Sequence, residues 1–211
     1  MDRRVARTRA ALHAALLSLL DERHYETITV EDICLRADVG RSTFYGHYRC
    51  KDDLMRSGFS HLPKLLRKPH KDPPSAPAGD DHGELGFSLP MFEHARDHMH
   101  LHRTLVGNRG GIVALGTIRE ILCDVVRSEL AAAAGGNVKD SMPRELVVQY
   151  LVGAFMAVAT WWLDGGARLM PQQVDSMFQR LATRGLSTLH GNAPSHSIRA
   201  PRGSSARSQP R

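Results

Sequence analysis

The sequence predicts an all-α protein in two parts, an N-terminal three-helix unit containing a helix-turn-helix and a larger helical domain behind it. Three observations predict this. Apolar residues recur at helical spacing through most of the chain, and no stretch shows the period-two alternation of a half-buried strand. Two very short helical segments flank a tight turn near Asp38. A stretch rich in Pro, Gly and Asp then separates these segments from a series of long apolar helices.

The first helix is expected over about 4–23, where Leu12, Leu16, Leu19 and Leu20 share one face. Thr29-Val30-Glu31-Asp32 reads as a capping box, with the Thr29 hydroxyl taking an orphan amide and Asp32 reaching back. A short helix follows, with Val30, Ile33, Cys34 and Ala37 inward. "ADVG" ends it, and a second short helix runs from Arg41 to about Tyr48. Lys51 opens a longer helix, with Asp52 and Asp53 in the first turn, where the helix dipole favours acids.

Residues 68–86, "KPHKDPPSAPAGDDHGELG", hold almost nothing to bury and read as a mobile linker. Helices are expected beyond it over about 90–106, 112–133, 143–164 and 171–189. The tail 190–211 is Ser, Pro, Arg and Gly rich and reads as disordered. The resulting division is 1–55 for the helix-turn-helix unit and 56–189 for the helical domain.

At 42% apolar and 24% charged, the 211 residues can bury a real core. The formal charge of +6 is concentrated at the ends. Arg3, Arg4, Arg7 and Arg9 face only Asp2 at the start, and Arg199, Arg202, Arg207 and Arg211 face no acid in the tail. The body between is close to neutral, so any polyanion site in it must be local. Three widely spaced cysteines, Cys34, Cys50 and Cys123, form neither a CxxC pair nor a disulfide framework. They suit a reducing cytoplasm. The Arg-rich N-terminus has no apolar core of the kind a signal peptide needs.

The stretch "GRSTFYGHYRCKDDL" combines aromatics with cations. In a helix-turn-helix the second helix enters the major groove and its N-terminal part meets base edges. Phe44 and Val39 must pack inward, leaving Arg41, Ser42, Thr43 and Tyr45 outward. Arg41 can read guanine or hold a phosphate, and a Thr methyl can touch thymine. Tyr45, His47 and Lys51 suit phosphate oxygens, which set register.

The stretch "TVEDICLRADVGRSTFYGHYRCKDDLM", with the preceding helix and "DERHYETI", resembles the N-terminal DNA-binding domain of TetR-family transcriptional regulators over roughly residues 7–55. The resemblance implies that Thr43, Tyr45, His47 and Lys51 face DNA, with Thr29 near a phosphate. It also implies a homodimer on double-stranded DNA, with the remaining helices binding a small ligand that releases the DNA. The chain departs from the family pattern at five positions. His24 stands where Gly ends a helix, a mild strain if it is left-handed. Asp38 replaces a turn Gly, and Asp tolerates that geometry. Gly40 and Cys50 replace capping serines. Gly46 stands where a large side chain is common.

Residues 146–163 form an 18-residue apolar run interrupted by Gln149, Tyr150 and Thr160. A membrane span is the weaker reading; a helix buried in a core or interface is the stronger. Gly153 and Ala157 lie four apart and permit close helix approach. The amphipathic 171–189 segment is the natural second member, so two helices from each of two chains would form a four-helix dimer interface.

"EHARDHMHLHR" carries four histidines. Continued as one helix, it places Phe92, Met99, His102 and Val106 on one face, so these are expected to line an apolar effector pocket. The same pattern fits a solid core with His102 bonded to a carbonyl. No metal or cofactor is expected, since no Cys or acid shares the stripe. No nucleophile elbow, P-loop, dinucleotide fingerprint or HExxH occurs, so the chain is not read as an enzyme. The reading is a repressor released from a palindromic operator by a small, largely apolar ligand. A DNA-binding regulator with no effector, constitutive or nucleoid-type, remains open from sequence.

Overall fold

The computed structural model describes residues 3–67, 85–133 and 142–184. Among them only helices and turns occur. The helices are α1 (Arg3–Glu22), α2 (Val30–Ala37), α3 (Arg41–Tyr45), α4 (Lys51–Ser57) and α5 (Leu62–Leu66). After the break come α6 (Ser88–Asp97), α7 (Met99–Leu105), α8 (Arg109–Ala133), α9 (Arg144–Asp164) and α10 (Pro171–Arg184). Nearly all of the expected linker, the whole tail 190–211 and the end of the last predicted helix lie outside the described residues.

The first core is small and dense. Leu12, Leu16, Leu19 and Leu20 of α1 meet Ile33 of α2, Phe44 of α3 and Leu54 of α4. Full burial of each such side chain contributes about 1.5–3 kcal/mol. Local signals place the turns. The Thr29 hydroxyl accepts from the Asp32 amide at 3.1 Å, and Asp32 takes the Thr29 amide at 2.8 Å, closing the capping box. Asp38 adopts φ 53, ψ 49 and ends α2 in the left-handed region, which an Asp reaches more easily than most residues. Arg36 clamps Glu22 with two bonds of 2.7 and 2.8 Å, tying α2 to α1.

His24 has φ −63 and ψ 141, ordinary extended backbone, so the strain considered for it does not arise. Gly46 sits just past the end of α3, which stops at Tyr45 rather than Tyr48; its missing side chain therefore costs no interior helix position.

The second core lies among α6, α8, α9 and α10. Phe92 packs on Phe155 with ring centroids 4.7 Å apart and edge-on against Trp162 at 5.6 Å. Helix α9 is long and apolar enough to cross a membrane by length and composition. One of its faces, carrying Val148, Val152, Phe155 and Trp162, is nevertheless buried in this core.

The expected helix over 90–106 is kinked at His98 (φ −110, ψ 22), which separates α6 from α7. The ring Nδ1–H of His98 donates to the His94 carbonyl at 2.9 Å, competing locally with the backbone ladder.

Candidate nucleic-acid interface and internal cavity

The outward face of the helix-turn-helix carries the residues that the sequence singles out. Arg41, Ser42 and Thr43 are exposed at the start of α3. Arg41 has only a loose 3.8 Å ion pair with Glu31 and can leave it. Tyr45 is 53% exposed and set edge-on against the buried Phe44 at 5.4 Å, so its ring direction is fixed while its hydroxyl end is in solvent. His47 is half-buried beside Tyr48. Thr29 is exposed, but its hydroxyl donates to Asp32 at 2.7 Å and belongs to the capping box.

Lys51 differs from expectation. Its ammonium donates to the carbonyls of Tyr25 at 2.6 Å and Ile28 at 2.7 Å, with a longer contact to Glu26 at 3.3 Å. It also lies 4.4 Å from the Tyr25 ring centroid. An ammonium has three donors, so these contacts use all of them to fix the loop after α1. Burial lowers its pKa, which marks partial withdrawal from water. A phosphate at this site would have to displace those carbonyls.

The same loop joins the unit to the second domain. The Tyr25 hydroxyl donates to Asp52 at 2.6 Å, and the Arg109 guanidinium reaches the other Asp52 oxygen at 3.0 Å. The Arg109 amide, opening α8, donates to Glu26 at 2.6 Å. Burial pushes the Asp52 carboxyl up, but the bonds from Tyr25 and Arg109 outweigh it and hold it below its usual value. Burial and then Asp52 push the Tyr25 phenol up, so it remains a donor. The approach of α8 depends on two glycines. A Cβ on Gly110 would stand 2.9 Å from the Tyr25 ring, and one on Gly111 would overlap the Leu105 carbonyl.

Beside this joint lies a cavity of about 880 Å³. Its wall includes His13 and Leu16 of α1, Met55 of α4, Leu101 of α7, Ile118 of α8 and Phe155 of α9. The volume is that of a pocket for a small molecule.

His102 and Val106, expected in the pocket, line it. His102 bonds a carboxylate, with Nε2 3.0 Å from Asp164 Oδ1, rather than a carbonyl. Phe92 and Met99 are not in the wall. Phe92 is fully buried in the second core, and Met99 packs against that core's outside. Met91, His94 and Ala95 before the kink and Leu101, His102 and Leu105 after it line the wall, while Phe92 and Met99, one on either side of the kink, pack with the second core instead.

The sequence reading missed His13, His61, His94 and His98 as wall residues. The His-rich run was visible, but nothing local brings His13 and His61 to it. The rings of His61, His94 and His98 follow one another with centroids 5.3 and 4.2 Å apart. Burial, then the neighbouring His98 and His61, lowers the His94 pKa to about 4 and keeps that ring neutral. Among the described residues no group of three or more His, Cys, Asp or Glu is arranged to hold a metal ion.

Comparison with known proteins agrees with this architecture. The family model for bacterial regulatory proteins of the tetR family matches residues 12–57, and one for a transcriptional regulator C-terminal region matches 85–184. An uncharacterized HTH-type transcriptional regulator of Bacillus subtilis (strain 168), YxbF, is 45% identical over 58 residues. That stretch is 27% of this chain but 15% of YxbF, so the likeness is to a small part of that protein. A TetR transcriptional regulator from Streptococcus agalactiae 2603V superposes with a TM-score of 0.60 at 25% identity, over 87% of this chain and 97% of that one. The dihydroxyacetone kinase operon activator DhaS shares the fold at 16% identity, with a TM-score of 0.55 over 86% of this chain and 97% of its own. With both halves matched and the helix-turn-helix formed as its sequence predicts, the chain belongs to the TetR family of bacterial transcriptional regulators, which are not enzymes.

Proposed function

We propose that this protein acts in the cytoplasm as a homodimeric repressor, held on a palindromic operator by α3 and released by a small, largely apolar ligand. The observation that carries this reading is the position of the cavity. Its wall includes α1 and the end of α4 as well as α6–α9, so an occupant touches the DNA-reading unit and the sensor domain together. A ligand shifts an equilibrium only through its different affinity for the two states. Contact with both bodies supplies such a difference. A constitutive DNA-binding protein has no use for a cavity at that joint.

Arg41, Ser42, Thr43 and Tyr45 would meet DNA, with Thr29 and His47 at its border. Lys51 would act mainly by holding the loop that carries Tyr25. Dimerisation rests on an unpartnered stripe of α9, in which Leu146, Tyr150 and Trp161 are exposed, and on Met177 and Leu181 of α10. Added bulk at Gly153 would meet open space within this chain. A two-fold dimer would read two half-sites about 34–36 Å apart.

The test is selection of bound fragments from random DNA, followed by light scattering. A palindrome bound by two chains supports the reading. Arg41→Ala and Thr43→Ala should then change affinity by about 1–3 kcal/mol at defined base positions. A wild-type monomer at micromolar concentration, or retention of random fragments with no shared motif, would count against it.

A further inference from the structure

We propose that the molecule held in this cavity is apolar but carries a hydrogen-bond-donating hydroxyl, such as an alkylphenol, and that wall histidines accept from it. The proposal rests on the effector reading above and specifies the ligand's chemistry.

The argument is one of tautomers. A carbonyl oxygen can only accept, so a ring nitrogen bonded to one must carry the hydrogen. His61 Nδ1 lies 2.9 Å from the Gly58 carbonyl, and His98 Nδ1 lies 2.9 Å from the His94 carbonyl. Each neutral ring therefore keeps a lone pair on Nε2. The same logic reaches the deeper end. His102 Nε2 donates to Asp164, leaving Nδ1 as an acceptor. The Ser57 hydroxyl donates to the Leu54 carbonyl at 2.9 Å, so its contact of 2.8 Å with His13 Nε2 is one in which the ring donates. His13 too is left with an acceptor.

The wall also carries hydroxyls, on Tyr48, Ser60 and Thr160, each able to accept as well as donate, and the His94 ring, which holds one donor and one acceptor when neutral. The Asn108 amide is committed on both sides, giving to the Thr104 carbonyl and accepting from Gly111. Among the described wall residues Arg9 is the one Arg or Lys, and it is exposed. Four ring acceptors, beside hydroxyls that can serve either role, favour a donor. A carboxylate would face neutral lone pairs and the Asp164 carboxylate, and an ether would leave acceptors without a partner.

The test uses three probes of one shape: 4-butylphenol, its methyl ether 4-butylanisole, and 4-butylbenzoate. Their binding to the full chain at pH 7.5 is measured by calorimetry, with release of a selected duplex as the functional readout. The phenol is expected to bind about threefold to tenfold more tightly than the ether, the range of one or two net hydrogen bonds. His98→Leu or His61→Leu should shrink that gap, and His98→Gln, which keeps an acceptor, should restore part of it. Equal binding of phenol and ether, tightest binding of the benzoate, or a gap untouched in every histidine variant would overturn the proposal while leaving the effector reading in place. If none of the three binds or releases DNA, the effector reading fails with it.

Discussion

Two partly buried carboxylates, one in each half of the molecule, have opposite surroundings. Asp52 in the DNA-reading unit takes a bond from Tyr25 and another from Arg109, and its proton is easily lost. Glu129 on α8 has a buried Oε2 with no partner, and burial raises its pKa to about 7 despite the Gly86 amide. The first half is a small core whose polar groups are satisfied; an unmade hydrogen bond there would cost about 1–3 kcal/mol. The second half contains a solid aromatic core and a buried carboxyl oxygen without a partner, and it shares the cavity with the first. A DNA-binding unit must hold its contacts in fixed geometry, whereas a domain with the proposed sensing role would need two states of similar energy. The contrast teaches that the one buried oxygen left without a partner among the described residues lies away from the helix-turn-helix, where geometry must not change.

The largest expected effect separates core from cavity wall in the C-terminal helices. Phe92→Ala should cost about 3–5 kcal/mol by denaturant unfolding, since it empties a site filled on all sides. Leu101→Ala, on the cavity wall, should cost about 1 kcal/mol, because the space beside it is already open. Equal costs would break the comparison.

Next is the joint. Asp52→Ala leaves the Tyr25 hydroxyl and Arg109 without their shared acceptor and should destabilise by about 2–3 kcal/mol. Asp52→Asn should recover part of that, since its carbonyl can still accept from Tyr25. Lys51→Ala should lower stability by about 1–2 kcal/mol through its three carbonyls. If it instead leaves the melting temperature alone and lowers the salt slope of DNA binding by about one unit, Lys51 belongs on phosphate, as the sequence suggested.

The smallest effect concerns pH. Glu129 has a folded pKa of about 7 against an ordinary 4.5, so the folded state binds its proton more tightly. Its contribution is present below pH 4.5 and lost as pH rises through 7. Glu129→Gln should therefore raise stability by about 1 kcal/mol at pH 8, discounted for partial exposure, and change little at pH 4.5. Thermal melts at the two pH values decide it.

Legibility in the sequence followed the same division. The first unit was readable because local chemistry fixes each joint: the Thr29 and Asp32 box, the left-handed Asp38 and the inward Phe44. The carbonyl contacts of Lys51 were not foreseen, because the partners lie 23–26 residues earlier in sequence, where no spacing rule reaches. In the second half the long helices were visible, but the kink at His98 was not, since neither Gly nor Pro marks it. Periodicity identified Phe92 as inward without saying whether a core or a cavity lay beyond. His102 was found, and its partner Asp164, 62 residues away, was not.

The most direct test of the account is an anisotropy titration of the selected duplex with the protein, first free and then saturated with a cavity ligand identified by calorimetry. The account predicts two chains per palindrome and an affinity about 5–150-fold weaker on saturation, the usual range of coupling between sites. Equal affinity in the two states, with the ligand shown to be bound, would contradict it.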